Sequence, residues 1–81
     1  MKTIKDEWEN FKSMVVPPGA SELQKSEMKL AFYGGATVML NIMSMVANMS
    51  TKEGFKLLEV CSKECENFVM ERMLESKSKQ N

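Results

Sequence analysis

The chain has 81 residues, no histidine, two cysteines, and 11 basic against 11 acidic residues. This length predicts one domain, residues 1–81, whose small core needs support from a disulfide, a metal or self-association. A net charge of zero argues against DNA, RNA or an acidic membrane as partner, because these surfaces attract a basic excess. The charged amino terminus lacks the apolar stretch of a signal peptide, and we expect no membrane-spanning segment. The expected protein is soluble and cytosolic.

The two cysteines, Cys61 and Cys65, are four residues apart in a predicted helix. Such spacing places both on one face and is poorly suited to a disulfide within that helix. Two cysteines without histidine also make a poor zinc site, which needs four nitrogen or sulfur ligands. We expect two small buried apolar side chains, no metal and no cofactor, so self-association is the favoured support.

Hydrophobic periodicity predicts three helices and no strand. The expected fold class is all-α: a compact helical protomer in which two helices flank a long central helix, assembling as a homo-oligomer. The predicted helices cover residues 3–16, 21–49 and 51–75. The polar tail, residues 76–81, has no apolar anchor and is predicted to fray.

The helix boundaries rest on local signals. Residues 17–19 read Pro-Pro-Gly, a stiff turn that ends the first helix. Ser21 and Gln24 form a capping-box pattern at the start of the second helix. Ser50 and Glu53 form another before the third helix.

The central helix carries more apolar surface than a single stripe. Two apolar rows adjoin each other, and a third, the small row, is uncharged and consists of Gly34, Thr37, Asn41, Ser44 and Asn48. Glycine costs a helix interior roughly 1 kcal/mol relative to alanine, yet Gly34 and Gly35 are adjacent there. We expect the small residues to allow close approach of another copy. The alternatives are a kink or close packing inside one protomer, and the approach of a flat ligand. The predicted oligomer contacts are Gly34, Gly35, Thr37 and Asn41.

Signatures of catalysis are missing from the sequence. Without histidine there is no ordinary histidine general base. No phosphate-binding loop, dinucleotide fingerprint, nucleophile elbow or zinc-protease motif is present. We therefore expect a protein that is not an enzyme.

Residues suited to a nucleotide cluster around the proline turn. Trp8 offers an aromatic face, with Lys12 one helical turn away. Lys25 and Lys29 lie at the start of the second helix, whose free amide groups favour a phosphate. Together they supply a stacking surface for a base and positive charge for a phosphodiester. The alternative is that Trp8 is a core anchor and the lysines are ordinary solvated charges.

The segment VVPPGASELQKSEMKLAFYGGATVML, together with the helix before it, resembles part of a known protein family. A tryptophan-bearing first helix, a proline turn, and then Q-x-x-E-M-K-x-A-F-Y-x-G-A opening a long helix resemble small phage proteins, the anti-CBASS cyclic-oligonucleotide sponges. The resemblance covers about residues 8–43.

The resemblance implies a function as well as a fold. Members of this family are compact, all-helical hexamers, built as trimers of dimers, that bind cyclic dinucleotides such as cyclic GMP-AMP between protomers. Some also bind cyclic trinucleotides at separate sites. They sequester the messenger without cleaving it, and so block CBASS signalling in the cytoplasm of the infected bacterium.

The same resemblance suggests roles for individual residues. It implies that Trp8 stacks on a base and that Lys25 meets a phosphate, with Lys12 and Lys29 as neighbours. Arg72, the only arginine, is a candidate for a second phosphate site on a helix outside the resemblance. The alternative function is a helical interaction module that docks its small row or its methionine-rich face on a host protein.

Overall fold

The computed structural model describes the backbone of residues 1–79 and the side-chain exposure of residues 1–77. Within residues 1–79 it contains three α-helices and no strand, which confirms the all-α class. The helices are α1 (Ile4–Val15), α2 (Glu22–Ala47) and α3 (Thr51–Lys79). The chain divides into two compact units, residues 1–42 and residues 43–81, and α2 belongs in part to each. Action of the chain as a single domain stays a prediction.

Both long helices begin at the predicted serines. The backbone N–H of Gln24 donates to Ser21 Oγ at 3.1 Å, and the N–H of Glu53 donates to Ser50 Oγ at 3.2 Å. Each bond satisfies one of the amide groups that a helix start leaves without a partner. The starts of α2 and α3 are therefore fixed by local chemistry.

The first helix has a capping box that the sequence analysis missed. The backbone N–H of Thr3 donates to Asp6 Oδ2 at 2.9 Å, and its hydroxyl donates to the same oxygen at 3.1 Å. At the other end, Val16 is extended, with φ −81° and ψ 121°. This is the conformation that a following proline favours, so Pro17 ends α1.

An aromatic cluster forms the core of the first unit. Trp8, Phe11 and Phe32 bring α1 and α2 together, and Trp8 is only 3% exposed. The Trp8 ring centroid lies 6.0 Å from that of Phe11 and 5.4 Å from that of Phe32, and the two phenylalanine centroids are 5.1 Å apart. These separations are those of favourable aromatic pairs.

In the second unit, the end of α2 packs closely on the start of α3 at a glycine. Gly54 is buried, and a Cβ added to it would lie 2.9 Å from Val46 Cγ1. Carbon atoms normally approach to about 3.5–4.0 Å, so only glycine fits here without a shift. Farther along α3, Leu58 and Cys61 are half-buried.

Helix α3 is longer than the sequence predicts. It continues to Lys79, four residues beyond the predicted end at residue 75. No glycine or proline follows Gly54, so nothing local stops the helix. Arg72 and Glu75, in the turn before this extension, form an ion pair of 3.6 Å. Of the tail predicted to fray, residues 76–79 are helical, and residues 80 and 81 lie outside the described residues.

One further expectation needs correction. Both cysteines are free, and Cys61 is half-buried, but Cys65 is exposed rather than buried.

By length and composition, α2 is apolar enough to cross a membrane, because residues 30–47 carry no charge. One such helix is weak evidence of a membrane span, so the expected absence of a membrane-spanning segment and the cellular location both stay predictions.

Candidate functional site

An open hollow lies where α1 ends, the two prolines turn the chain and α2 begins. Its volume is about 220 Å³. Val16 and the proline rings give it an apolar wall, and two lysines from different helices supply positive charge. The hollow is lined by Lys12, Ser13, Val16, Pro17, Pro18 and Lys25. The predicted convergence of Lys12 and Lys25 at the turn is thus present in the structure.

Each lysine of the hollow is paired with a glutamate of its own helix. Lys12 Nζ lies 3.2 Å from Glu9 Oε2, and Lys25 Nζ lies 3.3 Å from Glu22 Oε1. Pairs of this kind, open to solvent, stabilise a protein by about 0–1 kcal/mol. An incoming phosphate has to compete with these carboxylates, but at small cost.

Trp8 does not offer a free face to a ligand. It is not among the residues that line the hollow, and Phe11 and Phe32 pack against it. A base cannot stack on a ring that is 3% exposed. The structure therefore favours the alternative assignment, Trp8 as a core anchor, over the expected stacking residue. Its effect on the site is indirect, because it holds α1 against the part of α2 that carries Lys25.

The other two predicted ligand residues lie outside the hollow. Lys29 Nζ is 6.0 Å from the ring centroid of Tyr33, at the outer limit of a cation–π contact. Arg72 belongs to the second unit and pairs with Glu75 of its own helix. The structure brings together Lys12 and Lys25, and it does not place Lys29 or Arg72 in the same hollow.

Gly34, in the small row of α2, and Gly35, in the adjoining apolar row, both face open space in the protomer. A Cβ added to Gly34 or Gly35 would meet no atom within 4 Å, and α2 is continuous through both. Close packing inside one protomer is therefore not the reason for these glycines. Thr37 Oγ1 donates to the carbonyl of Tyr33 at 2.9 Å, so its polar group is satisfied within the helix. Thr37 and Asn41 are exposed, and contact of this row with another copy stays a prediction.

Alanine at the two glycines gives a test of this row. We expect Gly34→Ala and Gly35→Ala each to raise the free energy of unfolding of the protomer by about 1 kcal/mol, because the helix gains propensity and the added methyl meets nothing. Urea unfolding at low protein concentration measures this.

The same variants at high concentration test the predicted oligomer contact. We expect a lower molar mass by light scattering, since two methyl groups would separate backbones that approach at glycine. Lower stability at low concentration would contradict the open surroundings of the glycines. An unchanged molar mass would remove Gly34, Gly35, Thr37 and Asn41 from the interface.

The walls and counter-ions of the hollow were not among the predicted site residues. The apolar wall comes from Val16, Pro17 and Pro18, which the sequence shows only as a helix-breaking turn. The paired carboxylates, Glu9 and Glu22, were detectable, because each lies three residues before its lysine on a helix. Which residues form the walls of the hollow depends on tertiary packing, whereas the two ion pairs follow from the spacing of residues along each helix.

No metal site or family assignment adds to this picture. Across the residues that the structure describes, no three histidine, cysteine, aspartate or glutamate side chains are grouped as metal ligands. The chain matches no protein-family model, no curated protein and no solved structure, so the hollow at the proline turn is the basis for a functional proposal.

Proposed function

We propose that this protein binds cyclic di- or trinucleotides without cleaving them and thereby sequesters them. The observation that carries the proposal is the presence of Lys12 and Lys25 in one hollow beside an apolar wall. Such a surface suits a ligand that is anionic on one side and flat and apolar on the other. The ammonium groups bind a phosphodiester, and a base packs on Val16 and the proline rings.

The size of the hollow suggests that one copy provides part of a site. Pockets for small molecules usually have volumes of about 300–1,000 Å³. The hollow has about 220 Å³, less than this range, so one copy would hold only part of a cyclic ligand. A second copy would then hold the rest, in agreement with a homo-oligomer that binds its ligand between protomers. The sponge resemblance implies a hexamer acting in the cytoplasm of an infected bacterium.

Substitution of the hollow lysines tests the proposal. We expect Lys12→Ala and Lys25→Ala each to weaken binding of cyclic GMP-AMP about tenfold or more, because each removes a charge-assisted hydrogen bond to phosphate. Isothermal titration calorimetry measures the affinity, with cyclic tri-adenylate as a second ligand. Chromatography after long incubation and denaturation should recover the ligand intact.

Lys63→Ala is the matched control, because Lys63 also forms a lysine–glutamate pair three residues apart, with Glu66 at 3.4 Å, yet does not line the hollow. We expect its affinity to equal that of the unaltered protein. Equal losses in all three variants would show a nonspecific charge effect. No binding of either ligand by the unaltered protein would rule the function out, and cleaved ligand would point to an enzyme.

A second candidate is a helical module that binds a host protein. It is favoured by the many large apolar side chains that are exposed along α2, among them Leu23, Leu30 and Val38. This function predicts no nucleotide binding and a complex of fixed stoichiometry, reconstituted from purified chain and partner. Leu30→Glu should weaken that complex while Lys25→Ala leaves it intact.

A further inference from the structure

One face of α3 is covered at its start and uncovered farther along. The residues that share this face are spaced four and three apart: Gly54, Leu58, Cys61, Cys65, Phe68 and Arg72. Gly54 is buried, and Leu58 and Cys61 are half-buried. Beyond Cys61, every described residue of α3, through residue 77, is exposed. We call Cys65, Phe68, Val69 and Arg72 the distal face of α3.

The distal face has the side chains of a helix–helix contact. Phe68 is 63% exposed and Val69 is 55% exposed, although both continue the face that is packed at Leu58 and Cys61. Alternating steps of four and three residues are the spacing by which paired helices keep one seam together. A helical segment without tertiary cover is marginal in water, because helices in proteins owe most of their stability to packing.

Little apolar surface is covered within one copy of the chain. Trp8 is the only buried large apolar side chain among residues 1–77. A chain of this length buries too small a core to be stable without further support, such as self-association. The exposed apolar side chains of the distal face are a surface that such an association can cover.

We propose that the distal face of α3 pairs antiparallel with the distal face of a second copy. A second copy of the same chain is present wherever the protein is, so it can cover this exposed face at all times. The proposal stands whether or not the hollow at the proline turn binds a nucleotide, and it assigns an interface distinct from the small row of α2.

The charges on α3 select the antiparallel orientation. A parallel pair in register would place Arg72 against Arg72 of the second copy. An antiparallel pair centred on Phe68 instead brings Arg72 level with Glu64 of the second copy, and symmetry forms this contact twice. Among the described residues, Arg72 pairs with Glu75 of its own helix, and this exposed pair is weak enough to yield to a contact with the second copy. Glu64 and Glu71 beside the face also disfavour an anionic membrane as its cover.

Two substitutions on opposite sides of the same helix test the interface. Phe68 and Met70 are almost equally exposed, 63% and 59%, but two residues place them about 200° apart. We expect Phe68→Glu to raise the dissociation constant of self-association about thirtyfold or more, as for a central interface residue, and Met70→Glu to leave it unchanged. Sedimentation velocity over a concentration series measures both. A monomeric unaltered protein, or equal effects of the two variants, would overturn the proposal.

A charge exchange tests the orientation. We expect Arg72→Glu to weaken association and the double variant Arg72→Glu with Glu64→Arg to restore it. Failure of the double variant to recover would overturn the antiparallel pairing.

Thiol cross-linking checks the contact without altering Phe68. In Cys61→Ser protein, the remaining Cys65 should give a covalent dimer with a short bis-maleimide. A thiol at the opposite side, from Lys63→Cys in protein with Cys61→Ser and Cys65→Ser, should not. Equal cross-linking at both positions would contradict the assigned face.

Discussion

Trp8→Ala is expected to unfold the first unit. Trp8 is 3% exposed and contacts both Phe11 and Phe32, so alanine leaves a large cavity in the aromatic cluster that joins α1 to α2. Truncation of a buried aromatic side chain costs about 3–5 kcal/mol, and a whole domain is typically stable by only about 5–15 kcal/mol. A chain this short lies at the low end of that range. Circular dichroism during urea or thermal unfolding measures the loss.

The control for this prediction lies on the same helix. Met14 is 71% exposed, so Met14→Ala should change the free energy of unfolding by no more than about 0.5 kcal/mol. Trp8→Phe should retain part of the stability, because it keeps an aromatic ring in the cluster. A Trp8→Ala protein that unfolds like the unaltered chain, yet no longer binds a cyclic dinucleotide, would instead establish Trp8 as a stacking residue.

Local signals in the sequence were sufficient for the order of the helices, for the starts of α2 and α3 and for the end of α1. Serine at positions 21 and 50 caps α2 and α3 through bonds of 3.1 and 3.2 Å, and residue types alone predicted these caps. Pro17 ends α1 through its effect on the residue before it. The end of α3 was misplaced, because polar composition by itself does not stop a helix that contains no breaker.

The sequence of one chain does not show which side of each helix is covered by another part of the structure. An apolar stripe shows that a helix face is stabilised by burial, but it does not show which surface packs against that face. Phe68 and Cys65 continue the stripe of Cys61 on α3 and are nevertheless exposed. Trp8 illustrates the reverse case: an aromatic residue near lysines suits a ligand site or a core equally well, and only tertiary packing separates the two.

The candidate site was predictable in its charges and not in its shape. Lys12 and Lys25 lie on either side of a turn that is too short to separate them, so their convergence follows from chain connectivity. Lys29 is one turn farther along α2 and lies instead near Tyr33. The wall of Val16 and the prolines depends on how α1 meets the turn, which periodicity does not encode.

Gly54→Leu is expected to separate the end of α2 from the start of α3, with a loss of about 3 kcal/mol in the free energy of unfolding, at the upper end of the cost of overpacking. Even a methyl group at this position would lie 2.9 Å from Val46 Cγ1. Valine is stiff at χ1 in a helix, so Val46 cannot readily rotate away. Gly54→Ala should therefore destabilise the protein, although alanine favours a helix by about 1 kcal/mol over glycine.

A double-variant cycle isolates the close approach at Gly54 from these propensity effects. Val46→Ala removes the atom that the new side chain would meet, so Gly54→Ala should be less harmful in that background than in the unaltered chain. The expected coupling is about 0.5–3 kcal/mol, the range for residues in contact. Gly34→Ala, where the added methyl meets nothing within 4 Å, supplies the propensity gain alone. If Gly54→Ala stabilises the protein as much as Gly34→Ala does, the two helices do not meet at this glycine, and the packing of the second unit has to be revised.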